Sequence, residues 1–104
     1  MKNCFITDNE MFNYDIEYKG EKIAKAHTLS YREKMKYMNI KENDTIGFDP
    51  IPLIVTALDT WTLGKDITEE NVDMLDFPII LAISTAIANH EAETMTKAEG
   101  LEKN

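Results

Sequence analysis

The side chains able to carry chemistry are few, and their spacing limits what they can do. His27 and His90 lie far apart, and neither has a second His or Cys at the spacing of a zinc ligand set. His90 reads more simply as a polar residue near the end of an apolar half-helix. Cys4 is the single cysteine; a nucleophilic role needs a base and an orienting group, and the sequence carries no signature for either. Glu69, Glu70, Asp73 and Asp76 place carboxylates at helical i, i+3 and i+4 spacings, a pattern that suits acid–base work or a divalent cation. The same acids would complement the positive end of a helix starting at Thr68, so a solvated face is the simpler reading. Glu91 and Glu93 are two apart and do not share a helix face. The four glycines are scattered, and no phosphate-cradling loop can be drawn. The expectation is a protein that is not an enzyme, with no catalytic residue, no metal site and no cofactor.

Size and charge narrow the classes further. The 104 residues, 43% hydrophobic, suffice for one small core and one domain. A net charge of -8 repels nucleic-acid phosphates and anionic lipid, so neither nucleic acid nor membrane is an expected partner. Residues 1–58 carry 9 acids and 8 bases, whereas 59–104 carry 10 acids and 3 bases, so the acidity belongs to the second half. The one local basic cluster is Lys25, Arg32, Lys34 and Lys36, which could meet the acidic half of a neighbouring copy head to tail. A lone cysteine and the lack of a basic n-region followed by an apolar h-region lead to an expected cytoplasmic location. The uncharged stretch 77–89 falls well short of the roughly 20 apolar residues that span a bilayer.

These constraints leave the elements that must position any contact surface. Phe12, Tyr14, Ile16 and Tyr18 alternate with polar residues, and Lys19-Gly20 supplies a tight turn, which predicts a β-hairpin over 12–28. A two-residue loop would set Ile16 opposite Ile23 and Glu17 opposite Lys22. Ser30 with Glu33 forms a capping box for a short helix on which Tyr31, Met35 and Met38 share a face. After a loop at 41–49, Asp49 and Pro50 open a second helix, whose stripe Ile51, Ile54, Val55, Leu58 and Trp61 makes it the expected central helix. The Trp61 indole N–H should find an acceptor near that helix end, and Gly64 stops the helix. Thr68 caps a third helix, with Ile67 able to staple onto Val72, and Phe77-Pro78 separates it from a last helix running into the mid-nineties. The expected fold is α+β and mostly helical, an N-terminal hairpin followed by about four helices. Residues 1–11 form an N-terminal segment, 29–96 the helical part and 97–104 a flexible tail.

The last helix begins "IILAISTAIA", apolar nearly all round, and a chain this small has little material to cover it. Some of Ile79, Ile80, Leu81, Ile83 and Ile87 are therefore candidates for an exposed apolar contact patch, the alternative being that the hairpin and the other helices wrap this helix completely. Trp61 joins Ile79, Ile80, Ile83 and Ile87 as a candidate partner-binding residue, although its place on an apolar stripe makes a core role the simpler reading.

The order of these segments, "HTLSYREKMKYM", then "ALDTWTLGKD", then "ITEENVDMLDFPIILAISTAI", resembles the small tail assembly chaperones of long-tailed bacteriophages and related prophage tail proteins. The likeness covers roughly residues 12–90 and is one of order and patterning. It implies a non-enzymatic protein of the bacterial cytoplasm that coats the helical tape-measure protein during tail assembly and forms homo-oligomers. Some such proteins also have a longer frameshifted form. The alternative expectation is an acidic interaction module, inhibitor- or antitoxin-like, whose carboxylates block a basic partner.

Overall fold

The computed structural model describes residues 5–37 and 49–102, the side chains of 37 and 95–102 excepted. Expectations about Cys4, Met38, the loop at 41–48 and the extreme C-terminus lie outside those residues. After a short 3-10 turn at Ile6–Asp8 come strands β1 (Asn13–Tyr18) and β2 (Glu21–His27), helix α1 (Tyr31–Tyr37) and helix α2 (Ile51–Ala57). Strand β3 (Leu58–Trp61), helix α3 (Glu69–Asp73) and helix α4 (Phe77–Glu102) follow. The strands form one antiparallel sheet in the order β1-β2-β3. The architecture is α+β with an N-terminal hairpin and four helices.

The hairpin forms where the period-two pattern places it. Lys19 and Gly20 both have positive φ, 53° and 82°, the requirement of a two-residue turn whose twist matches its strands. Glu17 pairs with Lys22 as expected, but Ile16 sits opposite Ala24 rather than Ile23. A bulge accounts for the shift: Ile23 is the extra residue, and Ile23 and Ala24 are both buried in succession. The carbonyl of Ile23 accepts from the Thr62 amide at 2.9 Å, so the bulge is held from across the sheet.

The expected central helix is shorter than its stripe. It ends at Ala57, and Leu58 turns extended (φ -79°, ψ 132°) into β3. The cause of the misreading is a second bulge. Ala24 and Ala26, two apart on β2, pair with Trp61 and Leu58, three apart on β3. One extra residue thus converts the strand period of two into a spacing of three, which imitates a helix turn. Thr60, Trp61 and Thr62 also favour extended backbone. Trp61 therefore lies on an edge strand, half-buried against the core, and its indole N–H donates to the carbonyl of Lys65.

The helix caps follow the sequence. Ser30 and Glu33 exchange both capping-box bonds, Glu33 Oε1 accepting from the Ser30 amide at 2.9 Å and Ser30 Oγ from the Glu33 amide at 3.3 Å. Thr68 caps α3, accepting from the Asn71 amide at 3.1 Å, whereas α2 starts one residue later than expected: Pro50 is its N-cap, and Asp49, one position before it, accepts from the Ile51 amide at 3.0 Å. The backbone of α4 continues to Glu102, beyond the mid-nineties. Its buried face joins Ile83 and Ile87 to Ile16, Ala26, Leu53, Ile54 and Val72 in one core.

Replacing Gly20 with Ala isolates the backbone requirement of the turn, because nothing lies within 4 Å of the added methyl. The strain of an L-residue in the left-handed region should lower stability by about 1–2 kcal/mol. Urea denaturation should show this loss, and a smaller one for Gly20→Asn.

Candidate functional site

Two features of the helical half stand out: a buried polar cluster that fixes α4, and the apolar corner that α4 then presents to solvent. On α4, Ile83, Ile87 and Glu91 follow at steps of four, so they share the inward face. His90 and Glu91 are both buried, although the sequence offers them as polar residues on a fraying end. The Glu91 carboxylate accepts from the Leu29 amide through Oε2 at 2.9 Å, and Oε1 lies 3.5 Å from the ammonium of Lys34 on α1. That second contact balances charge without forming a hydrogen bond. His90 Nε2 lies 2.8 Å from Thr28 Oγ1, and its ring stacks on Tyr14 with centroids 3.6 Å apart. The Thr28 hydroxyl also lies 3.1 Å from the Phe12 carbonyl. Its single proton, given to that carbonyl, leaves His90 Nε2–H as the donor to Oγ1.

The surroundings tune these groups toward neutrality. Burial pushes the Tyr14 phenol well above its ordinary range, aided by the negative charges of Glu91 and Asp59. Its hydroxyl has no hydrogen-bond partner among the described residues. Burial lowers the His90 pKa; the carboxylates of Glu91 and Glu93 oppose the shift and Lys34 adds to it. A neutral imidazole between Thr28 and Tyr14 can stack and donate, and a closed, packed cluster of this kind positions elements rather than substrate.

His27 forms a separate pin on the strand side. Its Nδ1 lies 2.8 Å from Asp59 Oδ1 and its Nε2 3.7 Å from Glu33 Oε1. Asp59 is the bulged residue of β3, so the irregularity aims its carboxylate at β2. With both ring nitrogens facing carboxylates, His27 ties β3 to the start of α1. Among the described residues no three His, Cys, Asp or Glu side chains converge to hold a metal ion.

The expected contact patch is redistributed by this packing. Ile83 and Ile87 are fully buried and belong to the core, which corrects their assignment to an exposed surface: the β1-β2 hairpin and α2 cover that face. Ile79, Ile80 and Trp61 are half-buried against the core. Exposure falls instead on Met74 (78%), Phe77 (68%) and Leu81 (47%), at the junction of α3 and α4. Phe77 and Leu81 are one helix turn apart, on a face of α4 turned by about 120° from that of Ile83 and Ile87. Glu69, Glu70, Asp73 and Asp76, all exposed, border the same short segment. None of these four forms an ion pair among the described residues. The result is an apolar corner edged by acid. Sequence reasoning missed Met74 and Phe77, and it missed Tyr14, Thr28, Lys34 and Glu91 as one cluster. The stripe Ile80, Ile83, Ile87, Glu91, continued past the apolar run, was the signal for the last of these.

Comparison with protein-family models, with curated proteins and with solved structures finds no match to this chain. No helix among the described residues is long and apolar enough to cross a membrane.

The lowered pKa of His90 has a definite sign in stability. The unfolded chain takes up its proton near pH 6.5, whereas the folded chain resists it, so this contribution is intact above about pH 6.5 and declines as pH falls below it. Thermal melts from pH 7.5 downward should show this decline, and His90→Gln should flatten the slope just below pH 6.5. For Glu91, the Leu29 amide sets the cost of substitution. Glu91→Leu leaves that buried N–H without an acceptor, and chemical denaturation should find it less stable than Glu91→Gln by about 1–3 kcal/mol.

Proposed function

We propose that the protein is a non-enzymatic assembly chaperone that holds an amphipathic helical segment of another polypeptide against the corner formed by Met74, Phe77 and Leu81. The observation that carries this is the exposure of those three apolar side chains at one helix junction, in a chain too small to leave such a patch without consequence. A helix laid on this corner would bury its apolar face on Phe77 and Leu81, while Glu69, Glu70, Asp73 and Asp76 would receive basic residues along its border. Net negative charge would keep loaded complexes apart in solution. The likeness in segment order to phage tail assembly chaperones supplies a partner of this kind, the tape-measure protein, and a working place in the bacterial cytoplasm.

A second reading is favoured by the exposed carboxylates themselves. An acidic module that blocks a basic protein would use Glu69, Glu70, Asp73 and Asp76 as its contact and Phe77 only as a neighbour. The two differ in salt dependence, because ion pairs at a rim are screened as the Debye length falls from about 10 Å at 0.1 M salt to about 3 Å at 1 M.

A labelled synthetic helix, leucine on one face and lysine along its borders, is a suitable probe for anisotropy titration. Burying one large apolar side chain is worth about 1.5–3 kcal/mol. Phe77→Ser with Leu81→Ser should therefore weaken binding roughly 10- to 100-fold or more, with most of the wild-type affinity surviving 1 M salt. Unchanged binding by the double variant would overturn the chaperone reading; affinity that collapses in salt but ignores Phe77 would favour the acidic module.

A further inference from the structure

Of the three side chains that form the corner, one can change its polarity by a simple chemical step. Phe77 and Leu81 end in hydrocarbon, whereas Met74 carries a thioether and is 78% exposed, more than either of them. Its backbone is held without help from the side chain: Met74 is the C-cap of α3 (φ -91°, ψ 0°), and its amide donates to the Asn71 carbonyl at 3.2 Å. The core passes through Val72 and Leu75 on either side of it. Oxidising this sulfur therefore alters the surface of the corner and leaves the core as it is. Met35 is the other exposed methionine among the described residues, at 45%, and it lies on α1. The start of α1 is tied to α4 at Glu91, by the Leu29 amide and the Lys34 ammonium. At about 1.5 Å per residue, that point is about 20 Å along α4 from Phe77, so Met35 offers the same chemistry at a different place.

We infer that Met74 is a reversible oxidation site that regulates the corner, with a hydroperoxide as the oxidant. This rests on the corner being the docking surface for a helix, as proposed above, and adds a means of loosening the hold. In the forward step the Met74 sulfur attacks one peroxide oxygen, and the S–O bond forms as the O–O bond breaks. The proton of the transferred oxygen passes to the leaving oxygen, which departs as water or an alcohol; sulfur loses two electrons and the peroxide gains them. The product sulfoxide is polar and accepts hydrogen bonds. Against the apolar face of a docked helix it finds no donor, so the burial that the thioether contributed is replaced by a desolvation cost. A methionine sulfoxide reductase reverses the change, its dithiol supplying the two electrons and two protons that remove the oxygen as water.

The synthetic helix described above is again the probe. The protein is the full chain with Cys4→Ser, which removes the one thiol that peroxide would also oxidise. Peptide mass mapping should show hydrogen peroxide adding one oxygen to Met74 sooner than to Met35. Affinity for the helix should then fall roughly 10-fold or more, the equivalent of one apolar side chain, with circular dichroism and the thermal melt unchanged. Reductase treatment should restore it. Met35→Leu should bind like its parent and lose as much on oxidation; Met74→Leu, whatever its starting affinity, should lose nothing further; Met74→Gln should bind weakly with no oxidant present. Met74→Leu that still loses affinity in peroxide, or a loss that comes with melting of the helices, would overturn the inference. A reduced chain that binds through Phe77 and Leu81 and keeps its affinity after Met74 is oxidised would overturn it too, while the chaperone reading stands. A reduced chain that does not bind the helix at all removes both.

Discussion

The carboxylate of Glu91 is the constraint from which the rest of the helical half follows. An ionised group with no solvent exposure carries a large desolvation cost, offset here by the Leu29 amide and the Lys34 ammonium. An apolar residue at this place would pack with less demand, but it would not specify a rotation. Glu91 does: it turns α4 so that Ile87 and Ile83, at successive steps of four, face the sheet and α2. The same rotation sends Phe77 and Leu81 outward. The exposed corner is therefore set jointly by a polar contact about 20 Å away along the helix and by the packing of Val72, Ile79 and Ile80 on the core beside it.

The neighbouring groups reinforce that setting from the strand side. Thr28 and His90 join the segment after β2 to α4, and the Tyr14 ring lies flat against the imidazole, so β1, β2 and α4 meet in one cluster. His27, one residue from Thr28, reaches Asp59 and Glu33 and so gathers β3 and α1. Adjacent residues thus hold five elements between them. In a sheet of three strands, one only four residues long, such side-chain ties supply register that the backbone ladder alone would leave loose.

Much of the architecture was legible in the residues because it rests on local chemistry. The hairpin, the Ser30–Glu33 box, the Thr68 cap and the break just before Phe77 each depend on residues within a few positions of the backbone they shape. What escaped the sequence depends on contacts between distant segments. β3 was hidden because its bulge spaces Leu58 and Trp61 like neighbours on a helix, and only pairing with β2 reveals the extra residue. Glu91 and His90 were hidden because polarity argues for solvent, and their partners Leu29, Lys34 and Thr28 lie some sixty positions earlier. The candidate site was half legible: an apolar surface on the last helix follows from composition, but which side of that helix is free follows from packing. Whether Ile83 and Ile87 face the core or solvent depends on that rotation, and it buries them.

The sheet has two open borders, and both are poor templates for a further strand. β1 carries exposed Asp15 and Glu17 along its length, and β3 is short and interrupted at Asp59. Charge and irregularity on edge strands are the usual safeguards against uncontrolled stacking of sheets. Closed in this way, the strand borders leave side-chain surfaces, not backbone ladders, as the means by which this fold can touch another chain.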